Sequence, residues 1–212
     1  KLQRLQTLQS LQERIMLEKN EAQVGQTNRV LVEGPVDVAY KNVPASIRLA
    51  QEAGADEIWL LTSSDIATYE GVDRVFSQVP MHETPAIYRS CDILVKLSYV
   101  EGMFGPPLEM FHCGGTALVY DVTGHEEYIV HDQNSYVVER DHEDTVVRFL
   151  QHLKEHPEEL ARLKQGALES ASQWPDWDAS TDLFEKALTE IATSKRPTSK
   201  EYLERYTKEL FA

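Results

Sequence analysis

The stretch Glu101-Gly102-Met103-Phe104-Gly105-Pro106-Pro107-Leu108-Glu109 decides the fold prediction for this chain. An apolar run typical of a strand, residues 93–97, precedes it, and a helical pattern continues after it. A strand, a glycine-containing loop and a helix start in this order predict free backbone N–H groups at the positive end of a helix, which form an anion site. Because a carboxylate stands on each side, the stretch suits a ligand that carries both phosphate and hydroxyl groups.

Composition and charge narrow the class of protein. The chain has 212 residues, 42% of them hydrophobic and 26% charged, which is typical of a soluble globular protein with one sizeable domain. A net charge of −14 argues against nucleic acid or an anionic membrane as partner. An anionic ligand then needs local positive charge, for which Lys41, Arg89 and Lys96 are the candidates.

Cysteine usage and hydropathy predict the compartment. The two cysteines, Cys91 and Cys113, form no C-x-x-C pair, which suits a reducing compartment. No apolar stretch reaches the length of a membrane span, and no signal peptide is visible. These features predict a cytoplasmic protein and leave open a peripheral attachment at the inner membrane through parts outside this chain.

Apolar, strand-like runs alternate with helical patterns from residue 29 onward. Strands are predicted within residues 30–32, 58–61, 72–79, 93–97, 117–120 and 136–138. Continuous apolar strands between helices predict an α/β fold with a doubly wound, Rossmann-like parallel sheet that is covered on both faces. In such sheets ligands bind beyond the carboxyl ends of the strands, where we expect Gly34, residues 98–105 and residues 121–124.

The first 28 residues differ in character from the rest of the chain. A stripe of apolar residues at helical spacing runs through a glutamine-rich background: Leu2, Leu5, Leu8, Leu11 and Ile15. Because the stripe drifts round the helix, an amphipathic linker helix is favoured over a coiled coil or docking helix, and helix-mediated self-association stays open. The predicted domains are therefore a linker helix (1–28), a ligand-binding Rossmann-like domain (29–192) and a C-terminal tail with a helix (193–212).

With Cys113-Gly114, Asp121, Gly124 and Glu127 downstream, the opening stretch resembles the E-x7-E signature of retaining GT-B glycosyltransferases, family 4 (group 1) in particular. In that family the signature lies in the C-terminal, donor-binding domain, and the likeness covers roughly residues 29–188. The resemblance implies a nucleotide-diphospho-sugar as donor substrate, with no cofactor and no metal.

The resemblance also implies roles for individual side chains. Glu101 would contact the hydroxyls of the donor sugar near the reacting centre, and Glu109 would bind the ribose hydroxyls. Lys41 would bind the diphosphate and neutralise the charge that develops on the leaving group. Glu101 and Lys41 are thus the predicted catalytic residues.

Further donor-binding positions are implied by the same likeness. They are Gly102, Phe104, Gly105 and Leu108 around the helix start, Gly124 and Glu127 in the downstream loop, and Val79 beside the base. Three positions depart from the family pattern: Pro35 replaces an arginine, Met103 stands before Phe104, and Ser77 replaces a glycine. Either Arg29, Arg89 or a group from another domain supplies the missing cation, or the site is weaker. The base stays open among uridine, guanosine, adenosine and thymidine.

The implied activity is glycosyl transfer with retention at the anomeric carbon. Bacterial polysaccharide biosynthesis is the expected setting, because it is a common setting for enzymes of this family. Residues 1–28 hold no second doubly wound unit, so we expect the N-terminal acceptor-binding domain, which would take a sugar or lipid-linked acceptor, to lie outside this chain. The alternative is a non-catalytic assembly module that docks through its N-terminal helix.

Two other classes of site are disfavoured by spacing. A dinucleotide-dependent dehydrogenase is disfavoured because no G-x-G-x-x-G follows the first strand. A metal site at His125 and His131 is disfavoured because their spacing does not put two imidazoles on one helical face.

Overall fold

A computed structural model describes residues 28–194 of the chain. Their centre is a six-stranded sheet in which every neighbouring pair is parallel. The strands are β1 (Arg29–Glu33), β2 (Glu57–Thr62), β3 (Arg74–Ser77), β4 (Ile93–Lys96), β5 (Thr116–Tyr120) and β6 (Ser135–Val138). Side chains of β1, β4 and β5 are buried almost throughout, because helices cover both faces of the sheet.

Three of the helices lie between strands, and the other three follow β6 in succession. In chain order, the helices are α1 (Val43–Glu52), α2 (Thr84–Arg89), α3 (Gly105–His112), α4 (Glu143–Glu155), α5 (Pro157–Gln173) and α6 (Trp177–Thr193). Short 3-10 turns, Ala39–Lys41 and Met81–Glu83, precede α1 and α2. Prolines in the first turns of α1, α2 and α3 suit these starts, since their fixed φ matches a helix and their missing N–H is not needed there.

The chain divides into two compact units, Lys1–Gln173 and Trp174–Ala212. The described part of the second unit contains α6, whose start is capped by Asp176: its carboxylate accepts a hydrogen bond of 2.8 Å from the N–H of Ala179. The linker helix predicted over residues 1–28 and the tail predicted over 193–212 fall almost wholly outside the described residues. The predicted domain limits stay predictions.

The strand order β3-β2-β1-β4-β5-β6 confirms the predicted doubly wound fold. From β1 the chain adds strands outward through β2 and β3, then crosses back to place β4 on the other side of β1. The carboxyl ends of β1 and β4 therefore form the crevice where the winding reverses, and such crevices bind ligands in this class of fold. Glu33 ends β1, Lys96 ends β4, and Gly34 comes directly after Glu33.

At the opposite edge of the sheet, where the strands begin, aspartates form hydrogen bonds with the backbone. Three aspartates directly precede strands: Asp56 before β2, Asp73 before β3 and Asp92 before β4. Their carboxylates accept hydrogen bonds from the N–H groups of Asn28, Ile58 and Arg29, at 2.7, 2.7 and 3.3 Å respectively. In return their own N–H groups donate to the carbonyls of Asn28, Ile58 and Arg29. These reciprocal bonds satisfy backbone groups that would otherwise be unpaired where the strands begin.

Candidate functional site

Lys41 and Glu101 meet beyond the carboxyl ends of β1 and β4. The Lys41 Nζ lies 2.8 Å from both Glu101 Oε1 and Oε2, although the residues are 60 positions apart in sequence. The side chains are 20% and 7% exposed, so the pair is largely shielded from water. The Tyr99 N–H donates to the Tyr40 carbonyl at 2.8 Å, which fixes the turn carrying Lys41 against the strand end that leads to Glu101.

A second pair of opposite charges lies directly beside the first. Lys96 Nζ is 2.6 Å from Glu33 Oε2 and 3.1 Å from the Glu33 carbonyl, and the lysine side chain is 2% exposed. The same Nζ is 3.7 Å from Glu101 Oε1. The four side chains Lys41, Glu101, Lys96 and Glu33 therefore form one continuous row of alternating charge, here called the charge row.

Gly34 brings the backbone close to the charge row. A Cβ built at Gly34 would lie 3.2 Å from Val43 Cγ2, 3.6 Å from Lys41 Cβ and 3.8 Å from Lys96 Nζ, and its φ of +142° is one that side chains rarely adopt. A side chain at this position would be strained and would press against Val43. The glycine thus keeps the turn between β1 and Lys41 tight.

The loop of Glu101 is tied to the loop after β5. Thr123 Oγ1 donates to the Glu101 carbonyl at 3.0 Å, and the Tyr128 hydroxyl donates to the Phe104 carbonyl. Gly124, with φ +89°, packs so tightly that a Cβ there would lie 1.8 Å from the Gly102 carbonyl oxygen. Gly124 is therefore needed for contact between two loops of the chain itself, a role that the sequence did not reveal.

The first turn of α3 offers fewer donors than its sequence pattern predicts. Pro106 and Pro107 have no N–H, and the Gly105 N–H donates to the Met103 carbonyl at 2.9 Å. For the N–H groups of Gly102, Met103 and Phe104 no hydrogen-bond partner is found among residues 28–194. Donors for an anion thus lie in the loop just before the helix and not in its first turn.

The predicted donor-binding residues of the first loop fall into two kinds. The side chain of Phe104 is fully buried and that of Leu108 nearly so. A ligand could therefore reach the backbone of Phe104 but not its side chain. A Cβ built at Gly102 or Gly105 would meet no atom of the described residues within 4 Å, so their outer face is open to an approaching group. Phe104 and Leu108 thus pack the start of α3, while Gly102 and Gly105 leave room beside it.

The remaining predicted positions lie along the same edge of the sheet. Val79 is half-buried after β3, and Glu127 is exposed in the loop after β5. Ser77, at the end of β3, donates to the Ser64 carbonyl at 2.8 Å and so joins the ends of β2 and β3. The edge that the sequence predicts does carry these residues, and their roles toward a ligand remain predictions.

Glu109 occupies the fifth of the eight residues of α3, not its first turn, and its side chain is exposed. It lies near the buried phenol of Tyr88. Burial, followed by the charges of Glu33 and Glu109, raises the pKa of Tyr88 well above its usual value, so the hydroxyl keeps its proton. Tyr88 is therefore near enough to Glu33, at the end of the charge row, and to Glu109 to be affected by both charges.

Tyr128 experiences a similar environment on the other side of α3. Burial, with added repulsion from Glu101, Glu109 and Glu127, raises the pKa of its phenol. A protonated hydroxyl is what the bond to the Phe104 carbonyl requires. The link between the two loops therefore persists at any physiological pH.

Neither arginine suggested as a substitute cation reaches the site. Arg29 begins β1, where its Nε pairs with Glu57 at 2.7 Å and its Nη1 donates to the Ser90 carbonyl. Arg89 ends α2, next to that same Ser90, and is exposed. Both belong to the amino-terminal edge of the sheet, opposite Glu101, so the suggestion that either compensates for Pro35 is wrong. Lys96 is the second cation at the site.

Sequence reasoning missed the pairing roles of Glu33 and Lys96. The signal was present, because a lysine inside the apolar run of residues 93–97 and a glutamate ending the run of β1 are unusual in strands buried on both faces. A charge retained at such a position requires a partner, and buried pairs of this kind cluster at functional sites.

Metal and membrane features can be stated for the described part of the chain. Within residues 28–194, no three His, Cys, Asp or Glu side chains come together in a way that could hold a metal ion. In that same part, no helix is long and apolar enough to cross a bilayer.

The fold is shared with solved glycosyltransferase structures. Sucrose-phosphate synthase of Thermosynechococcus elongatus matches with a TM-score of 0.64 and 19% identity, over 82% of this chain and 48% of its own. HepE (Alr3699) of Anabaena, in complex with UDP-glucose, matches with a TM-score of 0.69 and 15% identity, over 83% of this chain and 52% of its own. At these identities the likeness establishes the fold, and this chain spans about half the length of those two proteins.

A third structure covers a similar region. The C-terminal domain of the glycosyl transferase group 1 family protein LpcC of Francisella tularensis matches with a TM-score of 0.57 and 20% identity, over 68% of this chain and 84% of its own. No curated protein sequence matches the chain. The model of the family described as glycosyl transferases group 1 matches residues 60–170, more than half of the chain, and includes both glutamates of the signature. This chain therefore belongs to the group 1 glycosyltransferases.

Proposed function

We propose that this chain is the donor-binding part of a retaining glycosyltransferase of family 4, which transfers a sugar from a nucleotide-diphospho-sugar to an acceptor. The observation that carries the proposal is the Lys41–Glu101 pair, a cation and a carboxylate at 2.8 Å at the point where the sheet reverses its winding. A diphosphate needs the cation, a sugar needs the carboxylate, and the two groups of the donor are joined directly to each other.

Each predicted residue has a stated task in this proposal. Lys41 turns from Glu101 to the diphosphate and neutralises the charge that grows on the leaving nucleoside diphosphate. Glu101 accepts hydrogen bonds from sugar hydroxyls, and Glu109 accepts them from the ribose. The N–H groups of residues 102–104, which have no partner among the described residues, supplement Lys41 at the phosphates.

The reaction needs a second half that brings the acceptor. HepE and sucrose-phosphate synthase are about twice as long as the region they share with this chain. We infer that an N-terminal domain completes the site and that this chain alone binds donor but transfers little or no sugar. HepE is seen with UDP and with UDP-glucose, so UDP is the first nucleotide to try.

Calorimetric titration of the 212-residue chain with UDP, GDP, ADP and dTDP tests the proposal. We expect one nucleotide to bind, and Glu109→Gln and Lys41→Met each to weaken it. Lys164→Met is the matched control, because Lys164 also pairs with a carboxylate at 2.8 Å but does so with Asp92 at the other edge of the sheet. If no nucleotide binds to the wild-type chain, the donor-binding proposal is wrong for this chain and the assembly module becomes the better proposal.

The nucleotide-sugar distinguishes the two glutamates. Glu101→Gln should not weaken affinity for the bare nucleoside diphosphate, because it frees Lys41, but it should remove the extra affinity that the sugar of the nucleotide-sugar provides. Glu109→Gln should weaken both ligands equally, since both carry the ribose. Equal losses for the two ligands in Glu101→Gln would contradict the sugar-binding role of Glu101.

A further inference from the structure

The two cations and two carboxylates of the charge row balance one another. Lys41 neutralises Glu101 through both carboxylate oxygens, and Lys96 neutralises Glu33. A diphosphate brings further negative charge to Lys41. Glu101 takes two of the three N–H donors of Lys41, so a diphosphate competes with Glu101 for the same cation, and we expect donor binding to loosen the Lys41–Glu101 pair.

Loosening that pair would leave Glu101 in a costly state. Its side chain is 7% exposed, so water cannot replace the lost partner fully. A shielded carboxylate without a counter-charge is strongly unfavourable, so Glu101 would need another cation to keep its place.

Lys96 is placed to prevent this. An ammonium group has three N–H donors, and Glu33 takes two of them through its carboxylate and its carbonyl. The remaining distance from Lys96 Nζ to Glu101 Oε1, 3.7 Å, shortens to a charge-assisted hydrogen bond with a shift of about 1 Å. Among the described residues, the cations within 4.0 Å of the Glu101 carboxylate are Lys41 and Lys96.

We propose that Lys96 is a positioning residue that takes over the pairing of Glu101 when Lys41 turns to the diphosphate. Lys96 stays on Glu33 and donates its third N–H to Glu101, which keeps Glu101 paired and fixed beside the sugar. The purpose of this exchange rests on the proposed function, but the exchange itself can be measured without any donor, because Lys41→Met imitates the departure of Lys41.

The competing interpretation gives Lys96 a static role as the buried partner of Glu33. Both interpretations predict that Lys96→Met destabilises the chain, so a single variant does not separate them. They differ in the coupling between Lys96 and Glu101. A static Lys96 has the same coupling to Glu101 whether or not Lys41 is present, whereas a Lys96 that takes over has a larger coupling once Lys41 is gone.

Double-mutant cycles in reversible urea unfolding measure this coupling. The variants are Lys96→Met, Glu101→Gln and both together, each made in the wild-type chain and in Lys41→Met. We expect the coupling, expressed as a ratio of unfolding equilibrium constants, to be roughly tenfold larger in Lys41→Met, within the range that contacting residues show in such cycles. The same cycle in Lys164→Met is the control and should match that of the wild-type chain.

A coupling that is equal or smaller in Lys41→Met would overturn the proposal. If Lys96→Met does not fold because Glu33 is left unpaired, the cycles are repeated with Glu33→Gln present throughout, where the same rise is expected and its absence counts against the proposal equally. A rise in a chain that binds no nucleotide supports the exchange of partners while contradicting the proposed function, so the two failures are distinguishable.

Discussion

The two edges of the sheet use charged residues in opposite ways. At the amino-terminal edge, Asp56, Asp73 and Asp92 each accept a backbone N–H from a neighbouring strand or the residue before it, and lysines cover two of these carboxylates: Lys154 lies 2.7 Å from Asp56, and Lys164 lies 2.8 Å from Asp92. Each carboxylate there completes the hydrogen bonding of a strand. These contacts are local and serve the fold itself.

At the carboxyl-terminal edge, the charges pair with one another while backbone groups stay unpaired. Lys41, Glu101, Lys96 and Glu33 share partners along one row, and nearby N–H groups of residues 102–104 have no partner within the described residues. Such an arrangement leaves cations and backbone donors available to another molecule. The contrast teaches that the same residue types stabilise one edge and leave the other prepared for an anionic, hydroxyl-bearing ligand.

Replacing one lysine at each edge should give the largest difference between the edges, and this difference is in nucleotide affinity. In Lys41→Met the diphosphate loses its main cation, so nucleotide affinity should fall on the order of a hundredfold, as expected for truncation of one member of a shielded charge pair. Calorimetry with the nucleotide that binds the wild-type chain measures this. In Lys164→Met affinity should not change, and a hundredfold loss there would remove the distinction between the edges.

Replacing a glycine by alanine at each edge should lower the free energy of unfolding by different amounts, and this difference is smaller than the one between the lysine variants. Gly124→Ala forces a Cβ within 1.8 Å of the Gly102 carbonyl oxygen and also strains a φ of +89°, so we expect a loss of about 2 kcal/mol or more in the free energy of unfolding. Gly54, at the amino-terminal edge after α1, has a φ of +74° with no atom of the described residues within 4 Å of a built Cβ. Gly54→Ala should cost about 1 kcal/mol, the conformational part alone.

Urea unfolding of the two alanine variants gives the comparison directly. Equal losses would mean that the loop after β5 moves aside easily and that its tie to the Glu101 loop is weak. A larger loss for Gly124→Ala, with reduced donor affinity, would mean that the contact between the loops shapes the site.

Strand prediction succeeded because a parallel sheet covered on both faces imposes a simple pattern. Apolar runs such as those in β1, β4 and β5 are continuous, and all six predicted strands are found. The shared edge is also predictable from sequence, because carboxyl ends of parallel strands meet, and this logic brought Gly34 and the loop of Glu101 to one place, whereas Lys41 was implied by the family resemblance. The direct pairing of Lys41 with Glu101 could not be predicted, since it depends on how a 3-10 turn and a loop 60 residues apart fold against each other.

Details of the site escaped prediction for physical reasons as well. Pro106 and Pro107 mark a helix start, yet they also remove N–H donors from that start, and the pattern alone does not show which effect matters. Gly124 was interpreted as an approach to the ligand, whereas the chain's own Gly102 carbonyl lies against it. Long-range contacts of this kind leave no periodic signal in sequence.

Acidification should remove a modest contribution of Asp56, at the amino-terminal edge, to the free energy of unfolding. Burial opposes the ionisation of Asp56, but hydrogen bonds from Lys154 and the Asn28 N–H outweigh it, so its pKa is lowered from the ordinary 3.8. A lowered folded-state pKa means that the stabilisation is present above pH 3.8 and is lost as pH falls through the folded value. Because the carboxylate is one-third exposed, the contribution is no more than about 1 kcal/mol.

Unfolding of wild-type and Asp56→Asn chains between pH 7 and pH 2 tests this. The difference in unfolding free energy should be largest at pH 7 and should shrink as pH falls below about 4. A difference that stays constant with pH would show that the charge of Asp56 is immaterial and that its shape alone closes the edge.

The smallest expected effect is that of metal removal on donor binding. In the proposed site Lys41 supplies the positive charge at the diphosphate and Lys96 holds Glu101, so no divalent cation is required to balance the ligand. Nucleotide affinity measured in EDTA should therefore equal that measured in Mg²⁺. A lower nucleotide affinity in EDTA for the wild-type chain would mean that a metal ion neutralises part of the diphosphate charge. A drop confined to Lys41→Met would instead mean that a divalent cation replaces the missing ammonium, and it would sharpen the assignment of Lys41 as the group that the diphosphate meets first.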